Sequence, residues 1–187
     1  VTGTFAGLAE GDDVNVTGTN FQIIYSAGDG NDVVLAATPQ PIDTVYIDDS
    51  FTQNGGQLIA DADLGTPGAQ LAVFGEYAFT NFVDAFDAVS TTGTVIVNGG
   101  TYAEDVVLAN GVTLEITGPD TAGTVTVDSL AGTDATTNVI IEGSSVLNVG
   151  ANNASTSFAG SISGHGTLTK LGSGTLTLTG AVSIAEI

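Results

Sequence analysis

The sequence predicts an all-β fold: a right-handed parallel β-helix with one short capping α-helix and an N-terminal β-arm. An antiparallel sandwich usually places Asn-Gly or Asp-Gly hairpin turns between longer runs, and within residues 100–180 only Asn110-Gly111 fits that type. Coils of a solenoid instead give short strands joined by small-residue corners. Residues 94–180 have this form, with apolar and Thr-rich runs between Gly, Asn, Asp and Ser: TVIV, VTLEIT, TVTV, NVIIE, SVLNV and GTLTLTG.

The composition limits the partners that the protein can bind. One Lys or Arg stands against 21 Asp and Glu in 187 residues, which gives a formal net charge of −20. A field of that sign repels nucleic acid and anionic membranes, so we expect neither as a partner. Hydrophobic residues still make up 42% of the chain, enough apolar surface to fold despite the acidity.

The sequence contains few signals of cellular compartment or of processing. The chain has no Cys, so no disulfide or thiolate metal site is possible. No run approaches the length of a transmembrane helix. The first residue is Val1, and no basic and apolar leader follows it, so we expect an internal piece of a longer precursor.

The chain is predicted to have four consecutive parts. Residues 1–37 form the β-arm, and 38–44 form an extended linker around Pro39 and Pro41. Residues 45–93 are a lead-in that contains the capping helix, and 94–187 are the β-helix coils. A solenoid end exposes core and strand edges, so a cap or a partner is needed there.

The capping helix is predicted over residues 79–90. Asp84 and Asp87 fall on its polar face, and Thr80 or Asn81 is the candidate N-cap. Its apolar positions recur at helical spacing, as expected for a helix that lies over the first coil: Phe79, Phe82, Val83, Phe86 and Val89.

We expect the arm and the far end of the coils to make assembly contacts. A short arm cannot bury its apolar faces alone, so it must dock on its own β-helix or on that of a neighbour. At the other end, the apolar alternation after Leu178 stops without a terminal cap. The candidate assembly residues are Phe21, Ile23, Tyr25, Val33, Val34 and Leu35 in the arm, with Val182, Ile184 and Ile187 at the opposite end.

Several segments resemble known surface proteins. GTLTKLGSGTLTLTG, residues 166–180, resembles the autotransporter-associated β-strand repeat of secreted bacterial proteins, and NGGTYAEDVVLANGVTLEI, residues 98–116, is similar to a coil of pectate-lyase-like β-helix repeats. FAGLAEGDDV and FQIIYSAGDGNDVVL in the arm, with VYIDDS and FGEYAFTNFVDAFDAV in the lead-in, look similar to segments of large planctomycete-type surface proteins. The resemblance implies an extracellular or cell-surface location and an arm that completes the preceding unit's β-helix.

Two acidic groups are candidate calcium sites, although ordinary turns, in which Asp side chains bond to the backbone, are the favoured explanation. AGDGNDVVL, residues 27–35, approximates one copy of the calcium β-roll nonapeptide and contains Asp29 and Asp32. The second group combines Asp48 and Asp49 with a D-A-D segment, which places two carboxylates on one side of an extended chain. Its last two members are Asp61 and Asp63.

These features favour a non-catalytic structural unit that assembles head-to-tail with copies of itself. The alternative is an adhesin or carbohydrate-binding passenger that uses a lateral face of the β-helix. A polysaccharide-active enzyme is the third reading, although the aromatics that usually line a sugar cleft concentrate before residue 103. A flat threonine ladder of the ice-binding kind is a further reading, which NVIIE and SVLNV interrupt in sequence.

Overall fold

The protein folds as two compact units, Val1–Pro41 and Ile42–Ile187, in this computed structural model. The structure describes residues 5, 7–16, 19–27, 32–37, 42–66, 68–118 and 122–185. Most of these residues lie in strands, and the described part contains one short helix. The predicted all-β solenoid class is therefore confirmed, with about 4 turns of parallel coils in the larger unit.

The smaller unit is an antiparallel three-stranded sheet in the order β1-β2-β3. Its strands are β1 (Asp13–Val16), β2 (Thr19–Ala27) and β3 (Asp32–Ala37). The predicted assembly residues of the arm lie in two of these strands, β2 and β3. Because β2 is the central strand, β1 and β3 each keep one edge outside the ladder of this sheet.

The larger unit begins with a strand, an insertion and a helix. These are β4 (Ile42–Ile47), β5 (Leu58–Ile59), β6 (Ala72–Val73), β7 (Ala78–Phe79) and α1 (Phe82–Ala88). The coils that follow are built from short strands: β8 (Val89–Val97), β9 (Gly100–Val107), β10 (Thr113–Ile116), β11 (Thr124–Ala131), β12 (Asn138–Ile141), β13 (Val146–Val149), β14 (Thr156–Phe158), β15 (Ser161–Gly164), β16 (Thr167–Lys170), β17 (Leu176–Leu178) and β18 (Val182–Ser183).

Successive coils stack as parallel sheets. The first sheet has seven strands in the order β18-β15-β12-β10-β8-β4-β7, and the second has four in the order β16-β13-β11-β9. A third, shorter face contains β14 and β17. Side-chain hydrogen bonds between neighbouring coils join residues 20 to 24 positions apart, which is about one coil.

Columns of inward side chains form the core. In the first sheet, Val95, Leu114, Val139 and Ile162 are directly in register and at most 1% exposed. Every second residue of a strand points inward, so the alternating runs of the sequence become these columns. Burial of each such side chain contributes about 1.5–3 kcal/mol, and this makes the stacked columns the main source of stability.

The Asn110-Gly111 pair forms a corner between strands of two different sheets and does not form a hairpin. Both residues have positive φ, 55° and 71°, a conformation that Asn and Gly adopt most readily. The amide of Val112 donates to the carbonyl of Ala109 at 3.1 Å and closes the turn. The amide of Gly111 also donates to Asp134 Oδ2 at 3.1 Å, which ties this corner to the next coil.

The helix prediction is right in place and wrong in extent. Asn81 is the N-cap, and its side chain accepts from the amide of Asp84. Phe79, however, ends β7, and Val89 begins β8, so the helix is shorter than the predicted 79–90. Val83 is 63% exposed and lies off the buried face. Apolar residues of flanking strands fell by chance at helical spacing.

The boundaries of the linker and lead-in also differ from the prediction. Strand β4 begins at Ile42, inside the predicted linker 38–44, and it pairs in parallel with β8. The solenoid therefore starts before the predicted coils, 94–187. The intervening insertion concealed this, because it separates two strands that are neighbours in one sheet.

We expect Leu147→Ala, in the centre of the second sheet, to lower the free energy of unfolding by about 2–5 kcal/mol. Leu147 is almost fully buried, whereas Leu71 is exposed on the insertion. Leu71→Ala is the matched control and should change stability by less than about 0.5 kcal/mol. Urea unfolding followed by circular dichroism measures both. Equal effects of the two changes would contradict the stacked-column core.

Candidate assembly site at the ends of the β-helix

The N-terminal end of the β-helix is covered by α1. Phe82 and Ala85 are buried on the core side of the helix. The ring of Phe82 meets that of Tyr102 edge-on, with centroids 5.0 Å apart and planes at 74°. Edge-to-face pairs of this kind contribute beyond their buried area, so the helix is fixed on the first coil.

A carboxylate from the first coil holds the start of this helix. Glu104 Oε2 accepts from the amides of Phe82 at 3.0 Å and Val83 at 3.3 Å. These are amides that a helix leaves without internal partners, and a negative charge is favourable there. The cap is therefore joined to β9 by packing and by hydrogen bonds.

The edge of β9 at this end is also partly blocked. Asp49 Oδ2 accepts from the amide of Thr101 at 3.0 Å. The carboxylate packs against Gly100, where φ is +117° and a Cβ would lie 2.6 Å from Asp49 Cγ. The hydroxyl of Tyr102 donates to the carbonyl of Gly99 at 2.6 Å. Burial, followed by the charges of Asp49 and Asp48, raises the pKa of Tyr102 above its usual range.

The C-terminal end has no comparable cover among the described residues. Strands β16 and β18 each lie at the edge of their sheet, and β17 pairs with β14 on one side. Leu168 is still buried, but Leu176, Leu178 and Ile184 are only half-buried, and Val182 is 36% exposed. We call this surface, formed by β16, β17 and β18, the open end.

Lys170 lies at the open end in a position that points inward in every other coil. Its column contains Tyr102, Val127 and Val149, all buried. The Lys170 side chain is instead exposed, and its ammonium donates to the carbonyl of Leu171. The assembly residues predicted from the sequence do not include Lys170, although the sequence allows a lysine–carboxylate pair for it. The available signal was a lone cation at an apolar position of an alternating strand.

The predicted assembly residues of the arm differ in accessibility. Ile23 is buried, while Phe21, Tyr25 and Val33 are half-buried. Val34 and Leu35, on the edge strand β3, are 41% and 46% exposed. A contact with a partner would thus rest on Val34 and Leu35 and not on Ile23. Ile187, proposed for the opposite end, lies outside the described residues.

The four acidic residues of the lead-in accept separate hydrogen bonds, and only that of Asp49 comes from a distant part of the chain. Asp48 Oδ1 accepts from the amide of Ser50 at 2.8 Å, and Asp49 accepts from Thr101 as described. Asp63 accepts from the amide of Gly65 and from Thr66 Oγ1, and the amide of Gln70 approaches Asp61 Oδ1 at 3.4 Å.

These contacts do not produce a calcium site. No group of three or more His, Asp or Glu in the described part of the chain is placed to hold a metal ion. The D-A-D spacing failed as a signal because the carboxylates cap turns. Asp29 lies outside the described residues, and Asp32 is the first residue of β3, so calcium binding there stays a prediction.

The insertion docks against a corner of the coils through a buried amide. Asn98 is almost fully buried, and its Oδ1 accepts from the amide of Leu64 at 3.0 Å. Its Nδ2 donates to the carbonyl of Ala62 at 2.7 Å. Replacement of this amide would leave buried backbone groups unpaired, which makes Asn98 a positioning residue for the whole insertion.

Docking of the insertion brings acidic groups close together. Burial raises the pKa of Glu115, and the charges of Glu142 and Asp63 raise it further. The pKa of Tyr46 in the same region is also raised, first by burial and then by Asp63 and Glu115. The fold therefore tolerates a carboxylate here whose charged form is disfavoured.

A cleft lies between the insertion and the helix. Its volume is about 370 Å³, and aromatic rings and carboxylates are among its lining residues: Phe74, Gly75, Phe79, Thr80, Asp84, Asp87 and Ala88. Phe74 also packs edge-on against Phe51, with centroids 6.4 Å apart. Apolar and hydrogen-bonding groups thus line one concave surface beside α1.

Threonines on the outer face of the second sheet are more regular than the sequence indicates. Thr101, Thr126, Asn148 and Thr169 are in register on four consecutive strands. Asn148 Nδ2 donates to Thr126 Oγ1 at 3.1 Å. NVIIE does not interrupt this ladder, since it forms β12 in the other sheet. SVLNV does interrupt the ladder, because it places Asn148 between Thr126 and Thr169.

Comparison with protein-family models, with curated proteins and with solved structures found no match. The described residues contain no helix with the length and apolar character that a bilayer crossing requires.

We expect Glu115→Gln to raise the melting temperature at pH 7. The folded-state pKa of Glu115 lies above its usual value of 4.5, so the wild type loses stability as pH rises through this range. Glutamine is uncharged at every pH. The difference in melting temperature between variant and wild type should therefore vanish below about pH 4, where Glu115 is protonated in both the folded and the unfolded state. The exposed Glu76→Gln is the control. A gain that is independent of pH would contradict this origin.

Proposed function

We propose that the protein is a non-catalytic structural unit of an extracellular or cell-surface filament, which assembles head-to-tail by strand stacking. The observation that carries the proposal is the asymmetry of the β-helix ends. One end is covered by α1 and by the carboxylates of Glu104 and Asp49, whereas the open end presents strand edges and half-buried core residues.

Strand edges at the open end favour association for a simple reason. An edge strand presents unpaired amides and carbonyls that another strand can saturate. Stacking of one more layer would also remove Leu176, Leu178 and Val182 from water, as the preceding coils do for their equivalents. Hydrogen bonding and apolar burial thus favour the same contact.

The contact is heterologous, because an end of the β-helix meets a different surface of the next copy. Heterologous contacts that do not close into a ring propagate into filaments. The smaller unit is the proposed partner surface, since its edge strand β3 carries exposed Val34 and Leu35. The extracellular location rests on the resemblance of residues 166–180 to repeats of secreted surface proteins.

An adhesin that binds glycans is the second candidate. The cleft beside α1 favours it, because aromatic faces and carboxylates are the groups that bind sugars in proteins. Glycan binding that is lost on Asp84→Ala and retained on Glu76→Ala, without any self-assembly, would support this function over the structural one.

We expect Val182→Lys to raise the protein concentration needed for filament formation by about tenfold or more, because a charge at the stacking edge must be desolvated. Val107→Lys is the control, since Val107 is an exposed valine on the side of the β-helix. Sedimentation and negative-stain electron microscopy measure assembly. Equal assembly by both variants, or no assembly by the wild type at any concentration, would exclude the proposal.

A further inference from the structure

Lys170 is the one Lys or Arg of the chain, and the coil register places it at the edge of the core. The charge is unusual because its column is apolar in the three preceding coils. No carboxylate lies within ion-pair distance of its ammonium in the part of the chain that the structure describes. A layer stacked on β16 would bury this cation, and a buried unpaired cation is strongly destabilising. A partner strand that covers β16 therefore needs a carboxylate at the opposing position.

The smaller unit contains only acidic charges. Residues 1–41 include Glu10, Asp12, Asp13, Asp29 and Asp32 and no Lys, Arg or His. Two of these, Asp13 and Asp32, lie in strands that have a free edge in the sheet. Negative charge together with the edge strand β3, which exposes Val34 and Leu35, favours this unit of a second copy as the partner of the open end.

The apolar residues decide between the two strands. Position 168 of β16 is an inward leucine, two residues before Lys170. If β3 pairs with β16 antiparallel, Asp32 is opposite Lys170 and Val34 is opposite Leu168. An antiparallel β1 would place Asp13 opposite Lys170 but Asn15 opposite Leu168, which sets a polar group on the core.

Two alternative placements of β3 fail on the charge. A shift by one residue turns the other face of the strand inward and sets Val33 opposite Lys170 and Leu35 opposite Leu168. A parallel β3 with Val34 opposite Leu168 places Ala36 opposite Lys170. Each of these leaves the ammonium without a carboxylate under the added layer.

We infer that Lys170 sets the register of head-to-tail assembly, by pairing with Asp32 in strand β3 of a second copy laid antiparallel on β16. This inference rests on the proposed assembly function and names its partner strand. Pairs of opposite charge across strands stabilise, while like charges directly opposite destabilise. The lone cation thus excludes the alternative registers more than it adds affinity.

The first experiment reverses the charges one at a time. Lys170→Glu and Asp32→Lys should each raise the concentration needed for assembly by about tenfold or more, since like charges then oppose each other. Neither variant should assemble alone, but an equimolar mixture should assemble like the wild type, because every contact in an alternating chain pairs opposite charges. Glu76→Lys, which changes the net charge as Asp32→Lys does, should assemble normally. Thermal melts establish that each variant is folded.

The outcomes separate the two proposals. If the wild type forms no assemblies, the structural function itself is wrong. If the wild type assembles and both single variants assemble equally well, strand stacking stands and the pairing of Lys170 with Asp32 is wrong. If the folded single variants fail and their mixture fails too, the pairing is also wrong.

A disulfide cross-link tests directly whether β3 of a second copy covers β16. Because the chain has no Cys, a disulfide between Asp32→Cys of one copy and Lys170→Cys of another is unambiguous. Mild oxidation of the mixed variants should give a covalent dimer, and Glu76→Cys mixed with Lys170→Cys should not. In the variant that carries both cysteines, an intrachain bond instead of a polymer would place the chain's own arm on its open end and overturn the inference.

Discussion

The register of each coil on the one before it is the constraint on which the rest of the structure depends. In-register stacking keeps inward positions inward, and a slip of one residue would turn a whole strand to the other face. Where corners touch, there is no room for a side chain: a Cβ on Gly164 would overlap the backbone of Ile141, and one on Gly123 would lie 2.5 Å from the carbonyl oxygen of Asn98. The small residues of the sequence therefore mark contacts between coils as well as turns.

The insertion between β4 and β8 is accommodated because it leaves the coil path at a corner. After the insertion, strand β8 resumes the ladder directly beside β4, with Val95 opposite Val45 and Val97 opposite Ile47. A solenoid needs only the returning strand in register, and what happens between two strands is free to vary. The capping helix and residues that line the cleft belong to this insertion, and Asn98 binds the backbone of the same insertion at Ala62 and Leu64.

The fold class could be predicted from the sequence because the alternating runs and small corners are local signals. Asn81 as the helix cap was predictable for the same reason. The limits of α1, the pairing of β4 and the fate of the carboxylates were not, since each depends on a contact between distant residues. Asp49 caps the amide of Thr101 in another element, and spacing within the lead-in carries no trace of that partner.

The position of the one lysine has a consequence for the resistance of the protein to proteases. A protease specific for Lys and Arg has one bond to cut in this chain, Lys170–Leu171. That bond lies at the end of an edge strand, and extended edges are the conformation that protease clefts accept. In a stacked array, the bond would be covered in every copy but the terminal one. Digestion would then proceed from one end, and the length of the array would set its survival.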